Sequence, residues 1–246
     1  MFTRAYRDRL RDELITAARA DRRITGAAVT GSSALGTEDA WSDVDLAFGI
    51  DEPDAMLAAM ADWTELMYRD HEAVHHLDVA AGASIYRVFL LANTLQVDLA
   101  FSPASEYGAI ASSFRLLFGT SVERSPPAAP ASDYLIGYGW LYALHARSCI
   151  HRGKLWQGEY MISGVRDHVL ALACRRLGLP AAQGRGMDLL PAEIGKPLEA
   201  ALVRSLEPEE LRRAFRVVIE GLLGEVREVD AALAERIEVP LLDLIT

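Results

Sequence analysis

Two aspartates carry the most specific chemistry in this sequence. Asp43 and Asp45 are two positions apart in the run Ser42–Leu46, where apolar residues alternate with them. On a β-strand this spacing places both carboxylates on one face, while the apolar residues between them enter the core. Carboxylates that share a face repel each other unless a cation lies between them. Mg²⁺ is a hard cation that proteins hold with one or two carboxylates and substrate phosphates, so the pair predicts a divalent metal site.

A Gly-Ser turn lies upstream of the aspartates and directly after a short apolar run, Ala27–Thr30. The run predicts a strand, and Gly31 allows the backbone to turn tightly behind it. Backbone N–H groups and a hydroxyl in such a turn can point at a phosphate, because a concave array of donors attracts anions. We therefore predict that Gly31, Ser32 and Ser33 bind a phosphate group, together with Ser42 beside the aspartates.

The order of these motifs resembles the signature of the DNA polymerase beta-like nucleotidyltransferase superfamily. Within this superfamily, the motif pattern of the segments Gly31–Thr37 and Ser42–Leu46 most resembles that of the small-molecule branch. This branch includes the aminoglycoside and lincosamide nucleotidyltransferases. The family pattern asks for a third carboxylate on a later strand, and Asp98 in the run Leu95–Phe101 supplies one. The alternative is an aspartate pair solvated on an edge strand, which does not explain why turn, pair and third aspartate occur in this order.

The resemblance implies a Mg²⁺-dependent enzyme that moves a nucleoside monophosphate from a nucleoside triphosphate, such as ATP, to a hydroxyl group and releases pyrophosphate. Asp43, Asp45 and Asp98 would hold two Mg²⁺ ions, and Asp98 would hold the metal nearest the acceptor or take its proton. In this branch the acceptor-activating carboxylate comes either from the sheet or from a following helical domain. Glu159 is therefore the second candidate base. An aminoglycoside- or lincosamide-like antibiotic would be the corresponding acceptor.

Glu159 belongs to a polar stretch, Arg152–His168. This stretch lies in the second half of the chain, whose sequence otherwise predicts a helical bundle. Glu159 and Arg166 are seven positions apart, so they fall on one face of a helix. Such residues either contact substrate or nucleotide, form an ion pair on a solvated face, or belong to a network at a domain interface. The sequence leaves these interpretations open.

Composition restricts the classes of partner. The chain has 246 residues, a formal net charge of −10 and 51% hydrophobic residues, which is enough to build real cores. Proteins that grip a polynucleotide carry a basic stripe. None is visible, so we expect no nucleic-acid partner and a cationic small-molecule acceptor. A homodimer is left open.

The sequence also predicts the cellular compartment of the protein. The N-terminus has no apolar signal core, and no stretch approaches the roughly 20 apolar residues of a membrane span. Cys149 and Cys174 lie in apolar stretches and are expected to be buried thiols in a reducing compartment. We expect a cytoplasmic protein without membrane association.

The elements that position these residues fall into two halves, which predict an α+β fold. An N-terminal nucleotidyltransferase α/β domain with a small mixed sheet covers 1–124, a proline-rich linker 125–132, and a helical substrate-binding bundle 133–246. In the first half the sequence predicts helices over 3–22, 51–67, with Asp51 as N-cap and Pro53 in the first turn, and 105–118. It predicts strands over 27–30, 74–80, 85–91 and 95–101. In the second half it predicts helices over 134–152, 156–177, 192–204 and 208–236.

Two other functions fit the same motif. One is a protein-adenylylating nucleotidyltransferase of the antitoxin type. Those antitoxins are usually a minimal catalytic domain, so the helical half argues against it. The other is a non-catalytic nucleotide-binding sensor on the same fold, which the loss of one carboxylate would favour, whereas all three are present.

Overall fold

The computed structural model describes residues 1–51, 53–125 and 128–246, with Pro53 and Asp54 described by their backbone. The chain divides into two compact units, Met1–Ala128 and Ala129–Thr246. The predicted linker, 125–132, spans this division, and its residues 126 and 127 lie outside the described part of the chain.

The first unit is built on a mixed six-stranded sheet. Its strands are β1 (Ile24–Thr30), β2 (Val44–Ile50), β3 (Ala73–Ala81), β4 (Ser84–Leu91), β5 (Gln96–Pro103) and β6 (Phe114–Gly119), in the order β3-β4-β5-β2-β1-β6. The parallel pair is β2 and β5, and the other neighbouring strands run antiparallel. Its helices are α1 (Arg4–Ala20), α2 (Gly31–Leu35) and α3 (Pro53–Asp70).

Alternation along the strands separates the two faces of this sheet. One face packs its large side chains, among them Phe48 and Phe101, against buried residues of α1 and α3 such as Leu14 and Trp63. The ring centroids of Phe48 and Trp63 are 4.7 Å apart. The other face carries small residues, and its buried cluster consists of Ala28, Ala47, Ala100 and Tyr107. Because side chains alternate with a period of two, Asp45 and Asp98 belong to this second face.

The predicted helix over 105–118 is wrong. A single 3₁₀ turn occupies Ala104–Glu106, and the end of the segment is strand β6. This strand pairs antiparallel with β1, placing Phe114 opposite Thr30 and Arg115 opposite Val29. Without β6, the outer backbone groups of β1 would lack a partner strand, so long-range pairing overrides a local pattern that is compatible with a helix. The other predicted helices and strands of this half are confirmed.

The second unit is helical, as the sequence predicts. Its helices are α4 (Ser132–His151), α5 (Leu155–Arg176), α6 (Ala192–Glu199), α7 (Pro208–Val229) and α8 (Ala231–Leu242). The predicted single helix over 208–236 is wrong, because the chain becomes extended at Asp230, where φ is −150°. The Asp230 carboxylate then accepts a hydrogen bond of 2.9 Å from the Leu233 N–H and caps α8.

The two cysteines lie in this helical unit. Cys149 and Cys174 are buried free thiols, as expected. None of the helices in the described part of the chain is both long enough and apolar enough to cross a membrane.

Candidate metal-binding site

Three carboxylates meet where β2 and β5 run side by side. Asp45 on β2 is the direct register partner of Asp98 on β5, and Asp43 lies one residue before β2 begins. One oxygen of each carboxylate lies within 4.8 Å of the others, and all three residues are half-buried. The structure therefore brings together the three aspartates that the sequence singles out, in an arrangement that can hold a metal ion.

Asp98 shows the electrostatic cost of this arrangement. Burial raises its pKa to about 6, and the nearby charge of Asp43 adds to the increase. The Gln96 side-chain amide opposes the shift, because it donates a hydrogen bond of 3.0 Å to Asp98 Oδ1. The same nitrogen lies 3.5 Å from Asp43 Oδ2, so Gln96 bridges the two carboxylates. A partly desolvated carboxylate beside another one is the electrostatic setting in which a bound cation is stabilising.

Gln96 was not among the residues predicted to form the site, although the sequence contained a signal for it. Gln96 and Asp98 are two positions apart on β5, so their side chains share the face of the sheet that carries the acidic cluster.

Gly31 stands where a larger residue would not fit. Its φ is +59°, a conformation that favours glycine. A Cβ atom at this position would clash with Asp45 Oδ2 and lie 3.0 Å from Asp45 Cγ. The backbone of the Gly-Ser turn is therefore packed directly against the carboxylate cluster, and α2 begins at this residue.

Ser32 and Ser33 lie on the single turn of α2, and Gly36, with a φ of +69°, is the C-cap of this helix. The Ser32 carbonyl accepts a hydrogen bond of 3.0 Å from the Thr37 N–H. Arg11 on α1 donates a hydrogen bond of 3.1 Å to Ser33 Oγ, and it also pairs with Glu38. Helix α1 therefore holds the hydroxyl of Ser33 in place.

A second arginine of α1 supports the loop between α2 and β2. Arg7 is only 3% exposed, and its Nη1 donates hydrogen bonds to the carbonyl oxygens of Asp39, at 2.6 Å, and Ser42, at 3.4 Å. These two arginines were not predicted from the sequence to support the site. Their spacing was the available signal, because Arg7 and Arg11 are four positions apart and share a face of a helix.

Ser42 is engaged within this loop. Its hydroxyl accepts a hydrogen bond of 2.9 Å from the Asp39 N–H and donates one of 3.1 Å to Asp39 Oδ1. The Trp41 N–H also donates to Asp39 Oδ1, at 2.8 Å, and lowers the pKa of Asp39, with a smaller effect from Ser42. These bonds shape the chain immediately before Asp43.

Glu159 belongs to α5 in the second unit, whereas the three aspartates belong to the first. It is half-buried, and its Oε1 accepts a hydrogen bond of 2.7 Å from Ser163 Oγ on the same helix. Arg166 forms an ion pair of 3.1 Å with Asp167. Within α5, all of which the structure describes, Glu159 and Arg166 do not form an ion pair with each other.

The comparisons with known proteins find likenesses of structure. No protein-family model matches the chain, and no curated protein matches it. Among solved structures, the chain is similar to an aminoglycoside 6-adenyltransferase from Bacillus subtilis, with 12% sequence identity and a TM-score of 0.44 over 95% of this chain and 96% of that one. A likeness of this size indicates neither an acceptor nor a reaction for this chain.

Proposed function

We propose that this protein is a metal-dependent nucleotidyltransferase that transfers a nucleoside monophosphate from a nucleoside triphosphate to a hydroxyl group of a small molecule. The observation that carries the proposal is the convergence of Asp43, Asp45 and Asp98, whose oxygens lie within 4.8 Å of one another. Gly31, at the start of the predicted phosphate-binding turn, is packed against this cluster. A metal site beside a phosphate-binding turn is what nucleotidyl transfer requires.

The three carboxylates fit a hard divalent cation, and Mg²⁺ is the ion that we propose. They offer only oxygen ligands and are half-buried, and burial together with the nearby charge of Asp43 raises the pKa of Asp98. Two bound ions would neutralise the triphosphate and lower the pKa of the acceptor hydroxyl. The contribution of the chain is to hold Asp45 and Asp98 on two adjacent, hydrogen-bonded strands, so that the ligands are positioned before substrate arrives.

The Gly-Ser turn is proposed to bind the phosphates that leave as pyrophosphate, with ATP as the nucleotide. The first N–H groups of α2 and the hydroxyls of Ser32 and Ser33 are suitable donors for negative charge. Arg11 orients Ser33, and Arg7 fixes the carbonyl of Ser42 at the other end of the loop. Side chains of α1 therefore form hydrogen bonds both with the Gly-Ser turn and with the residue that precedes Asp43.

Two carboxyl groups are proposed as alternatives for the base that takes the proton of the acceptor. Asp98, with a pKa of about 6, would be ionised at neutral pH and able to accept a proton or hold metal. Glu159 is the alternative from the helical unit. The net charge of −10 favours a cationic acceptor, for which an aminoglycoside- or lincosamide-like antibiotic is the proposed class.

The proposal is tested by incubating the purified protein with labelled triphosphates, Mg²⁺ and a panel of small hydroxyl-bearing acceptors. We expect a product whose mass is increased by one nucleoside monophosphate, together with released pyrophosphate. Asp45→Asn should abolish both signals while the far-ultraviolet circular dichroism stays unchanged. A product formed equally by Asp45→Asn, or by wild type in excess chelator, would contradict the proposed chemistry.

A further inference from the structure

Strand β3 is an outer strand of the sheet that lacks the usual protection. It is nine residues long, and β4 is its strand neighbour in the described part of the chain. Outer strands are normally short, or are interrupted by lysine, proline or bulges that prevent another strand from pairing with them. A register shift occurs at the start of β3, between Ala73 and His75, but the pairing from His75 to Ala81 is regular and this segment contains neither lysine nor proline.

The side chains of β3 are also exposed. Leu77 is 63% exposed and Val79 is 46% exposed, and Leu90 on β4 extends the same apolar face at 50%. Leu77 is the register partner of Val88, and Val88 is the register partner of Asp98, so this apolar face is the one that carries the acidic cluster. A long outer strand with free pairing capacity and exposed aliphatic side chains fits the addition of another strand.

We propose that a second copy of this chain pairs with β3 in antiparallel fashion, with the two-fold axis at Leu77. The two copies would then form one continuous sheet with six strands from each. A two-fold axis perpendicular to a sheet keeps the same face of both copies on the same side, so only residues of equal parity can lie opposite each other. One residue of β3 must therefore lie opposite its own copy, with the axis between the two. Near the middle of the strand three residues can take this place: His76, Leu77 and Asp78.

The charges on β3 favour the axis at Leu77. That register places His76 of each copy opposite Asp78 of the other, Leu77 opposite itself, and His75 opposite Val79. An axis at Asp78 would place two carboxylates directly opposite each other, and an axis at His76 would place Asp78 opposite Val74. An imidazole that faces a carboxylate can form a hydrogen bond with it, whereas two facing carboxylates repel each other, so the strand is complementary to itself in one register.

The groups that would form the His76–Asp78 pairs are already oriented. Arg87 holds Asp78 with hydrogen bonds of 2.7 and 2.6 Å and lowers the pKa of its carboxyl, so Asp78 is an anion at neutral pH. Asp78 nevertheless remains 43% exposed. The Tyr68 hydroxyl and His76 Nδ1 are hydrogen-bonded at 3.0 Å, which fixes the imidazole on the same side of the sheet as Asp78. Little side-chain ordering would be needed when the second copy binds.

Light scattering on a size-exclusion column tests whether the interface exists. We expect the wild-type chain to be a dimer and Leu77→Lys to be a monomer, because the substitution places two ammonium groups opposite each other. Leu57→Lys is the matched control, since Leu57 is equally exposed, at 66%, but lies on α3. It should remain a dimer. A monomeric wild type, or a dimeric Leu77→Lys with native circular dichroism, would overturn the proposal.

Disulfide trapping tests the register. Residues directly opposite in an antiparallel pair have Cβ atoms about 4.5–5.5 Å apart, which is close enough for a disulfide after a small adjustment. We expect Leu77→Cys to form a covalent dimer under mild oxidation. Val79→Cys alone should not, but it should crosslink to a His75→Cys chain mixed with it. The native cysteines are buried and should not contribute. Equal trapping of Leu77→Cys and Val79→Cys would overturn the register. Neither test depends on transferase activity, so a failure here is separate from a failure of the proposed function.

Discussion

The site is governed by the desolvation of its acidic side chains. Asp98 is held beside Asp43 with the Gln96 amide as a neutral donor, and its pKa rises to about 6. A residue placed for stability alone would not be a carboxylate at this position, because the folded chain must bear the cost of its charge. The proposed role of Asp98 as a metal ligand would account for a carboxylate at this position despite that cost.

Substitution of Asp98 by asparagine should relieve this cost in a pH-dependent way. The pKa of about 6 in the folded chain exceeds the value of about 3.9 in the unfolded chain, so folding is disfavoured as the pH rises through this interval. Without metal, Asp98→Asn should therefore raise the free energy of unfolding by about 1–2 kcal/mol at pH 8, after allowance for partial solvation, and change it little at pH 3.5. Urea unfolding in chelator measures both values. An equal difference at the two pH values would contradict the cause assigned to the shift.

Gly31 and Gly36 form a matched pair for testing the turn. Both have positive φ, at 59° and 69°, but a Cβ atom would clash with Asp45 at Gly31 and would meet nothing within 4 Å at Gly36. Each alanine substitution should cost about 1 kcal/mol of stability through backbone strain. Only Gly31→Ala should also displace the Asp45 carboxylate, and thereby reduce the increase in melting temperature that Mg²⁺ and triphosphate produce. The same loss of ligand-induced stabilisation in Gly36→Ala would attribute the effect to strain alone.

At the scale of elements, the two strands that carry the acidic cluster can be predicted from the sequence, whereas a strand farther from the cluster cannot. β2 and β5 are recognisable because Asp45 and Asp98 each lie between two buried aliphatic residues, and that period of two places both aspartates on one face. β6 was not recognisable, because it exists through its pairing with β1. The role of Arg7 was hidden for the same reason, since its partners are carbonyl groups more than thirty positions away.

Arg7 provides a prediction at this scale. Arg7→Lys keeps the charge but loses the planar donor group that reaches the carbonyls of Asp39 and Ser42, so those buried bonds cannot be fully replaced. We expect a loss of about 1–3 kcal/mol in stability and faster hydrogen exchange or proteolysis in the loop 36–43. Arg9→Lys is the control, because Arg9 is exposed and contacts Glu13 and the ring of Tyr6, both of which lie on α1 itself. Unchanged loop protection in Arg7→Lys would contradict the role assigned to α1.

At the scale of the whole molecule, each unit has its own buried core, and the acidic cluster is formed entirely by the first. The helical pattern of the second unit was predictable because apolar residues recur with helical spacing, whereas its break at Asp230 depends on one capping residue. What the second unit contributes to the proposed reaction depends on its polar residues, of which Glu159 is the candidate with a chemical role.

Glu159→Gln tests that contribution with little structural disturbance, because the amide oxygen can still accept the hydrogen bond from Ser163. If Glu159 is the base, single-turnover transfer should fall by about 10²–10⁴-fold while triphosphate and Mg²⁺ binding stay close to wild type. Asp98→Asn should instead lose metal-dependent binding together with turnover, because it removes a proposed ligand. Ser163→Ala is the control, since it removes the hydrogen bond but keeps the carboxylate, and it should lower transfer only slightly. Wild-type transfer by Glu159→Gln between pH 6 and 9 would exclude Glu159 and leave Asp98 as the carboxyl that accepts the proton.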